Sequence, residues 1–297
     1  MEKSSPVLFE SLPSSALNHD WRTLGVLCLA FGVILAGLYA PVFPELLADW
    51  WNDPNYSHGF LVPVFSGFWV WQQREYLRTL PHQGSWYGFV LLLSGIGALV
   101  LGDIGAEDFL TRSSFILILA GLILFHLGTP VFRALLFPLG FLFFMVPLPA
   151  IIFNAIAFPL QGLAARNATF ILDTLGVPVL RDGNVIHLSE ITLGVTEACS
   201  GIRSLVSLLA LAVAWAWLTL AQPWARVVLI ASAIPITIIA NAGRVVATGL
   251  IGQWFGVKYA QGVFHSFSGW IIFLVAFVSL LGVHTLVNRS TTDRVGE

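Results

Sequence analysis

The sequence predicts an all-α polytopic membrane protein with about eight transmembrane helices, joined to a small β-hairpin and an amphipathic helix outside the bilayer. Composition is the first observation behind this prediction. Of the 297 residues, 57% are hydrophobic and 10% are charged, whereas a soluble domain carries about 25% charged residues. The second observation is that apolar runs recur along the chain, each close to the roughly 20 helical residues that cross a bilayer core.

The predicted crossings follow the apolar runs. The run at 131–148 is the least regular, because Pro138 and the Pro147-Leu148-Pro149 segment either break it or make it re-entrant. The run at 22–43 is too long for the core of a signal peptide and is predicted to be a retained anchor. The transmembrane domain then covers 22–288, between cytoplasmic tails at 1–21 and 289–297. The runs fall at 22–43, 58–73, 86–102, 113–128, 131–148, 199–220, 225–251 and 266–287.

The placement of charge orients these crossings, since lysine and arginine are enriched in cytoplasmic loops. With a cytoplasmic N-terminus, the opposite side receives the acidic turns at 45–53 and 103–108. We therefore predict that both termini are cytoplasmic and that the long segment 149–198 is periplasmic. The cytoplasmic side then receives Lys3, Arg22, Arg74, Arg78, Arg133, Arg226, Arg289 and Arg294.

The segment 149–198 has two parts. Its first half, from Ala150 to Gly176, is helix-like and amphipathic, which suits a helix that lies along the membrane surface. Its second half has β-branched residues around an Asp182-Gly183 turn, which predicts a small β-hairpin. The hairpin leads directly into Cys199.

Polar residues lie in or directly before the last three predicted crossings. On a helix that starts at Cys199, the side chains of Arg203, Ser207 and Ser200 fall within about 100° of the thiol. Further along, Arg244 shares a narrow stripe with Thr237, Asn241 and Thr248, and an intramembrane arginine is a functional-site candidate by default. His265 opens the last crossing.

The orientation obtained from charge alone brings Cys199, Arg244 and His265 to one level on one side of the membrane. A thiolate is the nucleophile of cysteine catalysis, and a neighbouring cation lowers the thiol pKa. Histidine can protonate a leaving amine, and arginine can stabilise the oxyanion formed at an amide carbonyl. The three residue types together favour acyl transfer through a thioester.

Each residue also has a structural interpretation. A membrane cysteine is usually a small apolar filler, as we interpret Cys28, and an arginine near a helix end commonly extends toward the interface. Arg203 is either a second catalytic cation or a structural partner of Glu197 or Glu190. A metal site built from Cys199, His265 and His58 would lack ligand-pair spacing, so no metal or other cofactor is predicted. The net charge of −2 gives no reason to expect a nucleic-acid partner.

Several motifs resemble those of the exosortases, multipass membrane cysteine transpeptidases of the exosortase/archaeosortase family. The resemblance covers about residues 50–288, in the expected order. Its core motifs are EACSGIRSL at 197–205, NAGRVVATG at 241–249 and HSFSGW at 265–270. Further similar stretches are DPNYSHGFLVP at 53–63, FPLGFLFFMVPLP at 137–149 and RDGNVIHL at 181–188.

The resemblance implies that Cys199 is the nucleophile and that Arg244 and His265 complete the catalytic set. It further implies cleavage of exported proteins at a C-terminal Pro-Glu-Pro-type motif, followed by an apolar helix and a basic tail, and transfer to a cell-surface acceptor. Family members are associated with exopolysaccharide production in Gram-negative bacteria, which implies an inner-membrane location with a periplasmic site. Supporting roles are predicted for Arg203, Asn241, Tyr56, His58, Glu197 and Ser200, although Tyr56 and His58 equally suit an interfacial belt.

Two other functions compete with the enzyme. A transporter would also place polar stripes inside a helical bundle, but usually near the midplane and with internal repeats, and this sequence has no evident repeat. A non-catalytic subunit of a polysaccharide export system would need no nucleophile and would tolerate Cys199→Ser.

Overall fold

The computed structural model describes residues 21–195, 201–256, 258–259 and 263–293. The chain divides into two compact units between Glu45 and Leu46, and α1 lies in the first. The structure is mostly helical, and short 3₁₀ helices cover Ser57–Phe60 and Leu142–Met145. The α-helices are α1 (Trp21–Leu38), α2 (Val42–Asn52), α3 (Leu61–Gln72), α4 (Arg74–Thr79), α5 (Tyr87–Ile104), α6 (Asp108–Phe141), α7 (Ala150–Thr174), α8 (Ile202–Thr219), α9 (Pro223–Phe255) and α10 (Val263–Asp293).

Five helices of the described residues are long and apolar enough to cross a membrane, namely α5, α6, α8, α9 and α10. The number becomes six if α1 and α2 together count as one broken span. The chain is therefore a multi-pass membrane protein, but the predicted number of about eight crossings is not confirmed. The crossing predicted at 58–73 is a 3₁₀ turn followed by the 12 residues of α3, which extend only about 18 Å at 1.5 Å per residue.

The long helix α6 turns back on itself at Gly128. This residue has φ 83° and ψ 179°, outside the helical region, and glycine tolerates a positive φ without the clash that a Cβ would cause. Pro130 then begins the second half, where its missing N–H and fixed φ suit a first helical turn. The predicted boundary between the runs 113–128 and 131–148 therefore falls at this break.

Two contacts of α2 show how far α6 turns. Arg112 Nη1, near the start of α6, is 2.6 Å from Asp49 Oδ2. Trp50 Nε1 donates to the carbonyl oxygen of Met145 over 2.8 Å, just beyond the end of α6. A straight helix would separate residues 112 and 145 by about 50 Å, yet both touch adjacent residues of α2. The two halves of α6 therefore run as a helical hairpin.

Helix α5 lies against the first half of α6 at very short range. Three buried glycines spaced seven residues apart, Gly88, Gly95 and Gly102, face the α6 backbone. A Cβ placed on Gly95 would lie 2.9 Å from the backbone nitrogen of Ile118. Small residues of this kind let helix backbones approach closely inside a membrane, so the glycines fix the antiparallel pairing of α5 and α6.

The segment after α6 has the predicted order of a helix and then strands. Helix α7 confirms the helix predicted from residue 150. The strands β1 (Val179–Asp182), β2 (Val185–Leu188) and β3 (Thr192–Gly194) form an antiparallel sheet in the order β1-β2-β3. The prediction of a two-stranded hairpin was incomplete, because β3 adds a third strand. Its turn was also one residue early, since Asp182 pairs with Val185 and the loop is Gly183-Asn184.

Helices α8, α9 and α10 pack through small side chains. Ala212 and Ala216 of α8, Ala225 and Ala233 of α9 and Ala276 of α10 are all buried in one cluster. Helix α9 also packs against α7 and the sheet, where Val245 and Val246 lie in a cluster with residues of α7 and β2. Helix α9 thus contacts α7, α8, α10 and the sheet.

Candidate active site

The predicted nucleophile and its neighbours fall in a part of the chain that the structure does not describe. Glu197, Cys199 and Ser200 lie outside the described residues, and so does the side chain of His265. The helix predicted to start at Cys199 starts at Ile202 in the described part, so the predicted angle between Cys199 and Arg203 is not tested. The site is therefore defined by the described residues that flank these positions.

Gly201, two residues after Cys199, lies directly on Asn241 of α9. Its φ of 83° is left-handed, and it is the N-cap residue directly before α8. A Cβ on Gly201 would lie 2.9 Å from the side-chain carbon Cγ of Asn241, so both the backbone conformation and the close approach require glycine. The motif that contains Cys199 and the motif that contains Arg244 are therefore in direct contact.

Arg244, one turn beyond Asn241, makes a hydrogen bond to the last crossing. Its Nε donates to Ser268 Oγ over 3.1 Å, and Ser268 is 3% exposed. The two threonines of the predicted polar stripe bond to the backbone of their own helix. Thr237 donates to the carbonyl oxygen of Ala233, and Thr248 donates to the carbonyl oxygen of Arg244. Such bonds to the preceding turn are typical of threonine in helices. Ser268 was not among the site residues predicted from the sequence, although it lies three residues after His265 and so on the same helix face.

Arg203 at the start of α8 reaches the segment before α3. Its Nε donates to Asn55 Oδ1 over 3.3 Å, and Asn55 is 8% exposed. The backbone N–H of Asn55 in turn donates to Asp53 Oδ1 over 2.8 Å, which fixes the local turn. Among the described residues no salt bridge joins Arg203 to Glu190, and Glu197 lies outside them. Asn55 is a second site residue that was not predicted from the sequence.

His58 connects this segment to α8 and to the end of the α6 hairpin. Its Nε2 lies 3.1 Å from the carbonyl oxygen of Phe144, and its Nδ1 lies 3.4 Å from Ser207 Oγ. Because a carbonyl only accepts, Nε2 carries the proton, and in the neutral ring Nδ1 accepts from the serine hydroxyl. Burial lowers the pKa of His58, against a smaller opposing effect of backbone hydrogen bonds, which favours this neutral form. His58 precedes α3 and lies outside the five long spans.

Tyr56 takes part in packing around the start of α8. Its ring lies 6.4 Å from that of Phe153 on α7, measured between centroids. Both belong to a cluster with the fully buried Ile202. The segment 53–60 therefore contacts α7, the first turns of α8 and the end of the α6 hairpin.

The comparison with protein families agrees with the motifs that meet here. A model of the transmembrane exosortase family matches residues 50–282, which include each of these contacts. The chain belongs to the transmembrane exosortase family. The resemblance found in the sequence is thus confirmed, and the chain is a membrane exosortase of multi-pass architecture. No curated protein and no solved structure matches the chain.

In this exosortase the strand that leads toward Cys199 is anchored by Asn184. Its Nδ2 donates to the Val195 carbonyl over 3.1 Å and to Gln161 Oε1 of α7 over 3.3 Å. The Val195 N–H donates back to Asn184 O over 2.9 Å. From the sequence, residues 181–188 were predicted to be part of a β-hairpin and to resemble a family motif, but no role was predicted for Asn184, directly after Gly183.

Within the described part of this exosortase, no three His, Cys, Asp or Glu side chains lie together as a metal ion would require. Cys199 and the side chain of His265 lie outside the described part. The described residues instead provide two guanidinium hydrogen-bond donors, Arg203 on α8 and Arg244 on the adjacent helix α9.

Proposed function

We propose that this exosortase is a membrane cysteine transpeptidase in which Cys199 is the nucleophile and Arg244 and His265 are the other catalytic residues. One observation carries the proposal. Gly201, two residues after Cys199, contacts Asn241 of α9, and Ser268, three residues after His265, accepts a hydrogen bond from Arg244 of the same helix. Gly201 and Ser268 are far apart in the sequence, yet both contact α9 within one turn, at Asn241 and Arg244.

The proposed reaction proceeds in two acyl transfers. The Cys199 thiolate attacks the carbonyl carbon of the substrate peptide bond, and the C–N bond breaks as His265 donates a proton to the departing amine. The substrate is then held as a thioester. An acceptor nucleophile attacks the thioester carbonyl and loses its proton to His265, and the C–S bond breaks to restore the thiolate. The proposed reaction uses no metal or other cofactor.

The two arginines have separate proposed roles. Arg244 stabilises the oxyanion of each tetrahedral intermediate or holds the glutamate of the sorting motif, because its planar fork suits bidentate binding of oxygen atoms. Ser268 fixes the orientation of that fork through Nε. Arg203 adds positive potential that favours the Cys199 thiolate, and Asn55 positions it. His58 and Tyr56 support the site by holding segment 53–60 against α7 and α8.

The proposed substrates are exported proteins with a C-terminal Pro-Glu-Pro-type motif, an apolar helix and a basic tail. The apolar helix would enter the bilayer beside the exosortase, and the motif would reach the site at the periplasmic face of the bacterial inner membrane. Transfer to a cell-surface acceptor would link the enzyme to exopolysaccharide production. Support comes from family membership and from the charge asymmetry of the loops.

The decisive experiment is processing of a tagged substrate of this type in cells. Cys199→Ala should abolish the mobility shift of the substrate, while Cys28→Ala, the other cysteine of the chain, should leave it unchanged. Equal amounts of each variant in the membrane fraction establish that the protein is intact. If Cys199→Ala still processes the substrate, the thiol is not the nucleophile and the transpeptidase mechanism is wrong.

A further inference from the structure

A groove separate from the candidate active site runs along the outside of α3, the second half of α6 and α8. Its volume is about 500 Å³, within the range of about 300–1,000 Å³ that small-molecule pockets occupy. It extends from Phe144, beside His58, to Arg133 near the break in α6. Its walls are mostly aromatic and aliphatic, formed by Trp69, Gln73, Arg133, Ala134, Leu136, Phe137, Gly140, Phe141, Phe144, Val213 and Trp217.

Basic and aromatic side chains gather toward the Arg133 end of the groove. Arg133 is exposed and makes no hydrogen bond or ion pair with another described residue. Trp217 stacks on Phe137 at 4.4 Å, and the guanidinium of Arg226 lies 4.6 Å from the centre of the Trp217 ring. This end of the groove therefore combines positive charge with aromatic rings.

We propose that the groove binds one phospholipid with an anionic headgroup. The headgroup phosphate lies at Arg133 and Gln73, and one acyl chain lies along the aromatic wall toward Phe144. A basic pocket between transmembrane helices is the kind of site that recognises anionic lipid headgroups, and tryptophan side chains favour the level of the headgroups. The proposal does not depend on the catalytic mechanism, since it rests only on this groove.

The charge at one end of the groove favours an anionic lipid over a protein helix. The groove extends from Arg133 of α6 to Phe144 of the following 3₁₀ helix. A transmembrane helix that ends in a basic tail would bring positive charge to Arg133, which is unfavourable, whereas a phosphate group would pair with it.

Native mass spectrometry of the full chain in detergent tests the proposal with two lipids that share the same acyl chains, phosphatidylglycerol and phosphatidylcholine. Arg133→Gln should lower the preference for phosphatidylglycerol about fivefold, as expected for the loss of one arginine near an anionic headgroup. The matched control is Arg289→Gln, which removes another exposed helical arginine outside the groove and should not change the ratio. A change of equal size in both variants overturns the proposal.

The acyl-chain part of the site is tested by filling the groove. Gly140 lines the groove and has nothing within 4 Å of a Cβ, so the side chain of Gly140→Leu would extend from an open position into the groove and should reduce retention of both lipids. Gly67→Leu is the control, since Gly67 on α3 is equally open but does not line the groove. Unchanged lipid retention by Gly140→Leu overturns the proposal. Loss of binding of a synthetic apolar helix with a basic tail, with lipid retention intact, would assign the groove to a protein helix instead.

Discussion

At the scale of single residues, the orientation of Arg244 depends on a hydroxyl from another helix. An arginine that lies among transmembrane helices keeps its charge and therefore requires polar partners. The threonines of its own helix satisfy backbone carbonyls one turn earlier, whereas Ser268 of α10 accepts from Nε over 3.1 Å. Because a guanidinium bonded at Nε cannot rotate freely about its side-chain axis, Ser268 directs the remaining N–H groups.

This contact predicts a graded effect on catalysis. Ser268→Ala should lower processing roughly tenfold or more, since a hydrogen bond to a charged group contributes about 1.5–3 kcal/mol. Ser268→Thr keeps the hydroxyl and should restore most of the activity. Arg244→Lys retains the charge but loses the planar fork, and it should abolish turnover. The measurement is the initial rate of substrate processing at matched protein levels.

Ser279→Ala provides the control on the same helix, because the Ser279 hydroxyl donates only to Val275 one turn earlier and is exposed. Its rate should equal that of the unmodified enzyme. Equal rates for Ser268→Ala and Ser279→Ala would show that the Arg244–Ser268 hydrogen bond does not position the guanidinium.

At the scale of elements, the pairing of α5 with the first half of α6 depends on glycine. Gly88, Gly95 and Gly102 recur every seven residues and face the α6 backbone, and Gly121 of α6 faces Leu92 in return. Close approach of this kind increases van der Waals contact between backbones, which drives association of transmembrane helices. The α5–α6 pair in turn carries Arg112, whose ion pair with Asp49 fixes the α6 hairpin against α2.

Adding one methyl group should therefore have different effects on stability at two glycines of α5, Gly95 and Gly97. Gly95→Ala places a Cβ 2.7 Å from Ile118 Cγ1 and 2.9 Å from the Ile118 backbone nitrogen, and such overpacking costs about 1–3 kcal/mol. Gly97→Ala meets nothing within 4 Å. Both changes gain the same helix propensity, so their difference isolates the contact. We expect a lower thermal midpoint in detergent for Gly95→Ala than for Gly97→Ala, and identical midpoints would contradict the proposed close packing.

At the scale of the whole molecule, local signals were predictable and contacts between distant segments were not. Apolar runs marked the long helices, and Gly183 marked a turn to within one residue. The third strand was missed because Thr192–Gly194 is short and gains its pairing only from β2. Asn55 and Ser268 were missed because their partners, Arg203 and Arg244, lie 148 and 24 residues away. Periodicity describes one helix at a time, so it identified Arg244 but not the residue that orients it.

The described contacts of the second compact unit lie at two opposite ends of its helices. At one end, Asp49 contacts Arg112, Trp50 contacts Met145, and His58 contacts Phe144 and Ser207. The sheet lies beyond that end, because the N–H of Glu190 donates to Gln253, 12 residues past Asn241 on α9. At the opposite end, Ser85 donates to Leu124 near the break at Gly128. The chain therefore places Gly105 and Gly183 on one side and Gly84 on the other.

This arrangement makes the membrane orientation testable with three reporter fusions. A fusion at Gly84 should be cytoplasmic, and fusions at Gly105 and Gly183 should be periplasmic, because the Gly84 end carries Arg74, Arg78, Arg133 and Arg226 and basic residues favour the cytoplasm. Paired alkaline phosphatase and green fluorescent protein reporters give opposite signals on the two sides, so each position has an internal control. Agreement between Gly105 and Gly183 requires that both halves of the α6 hairpin cross the membrane, since a single crossing would place the two positions on opposite sides. A cytoplasmic signal at Gly183 would contradict that topology and with it the periplasmic location of the residues around Cys199.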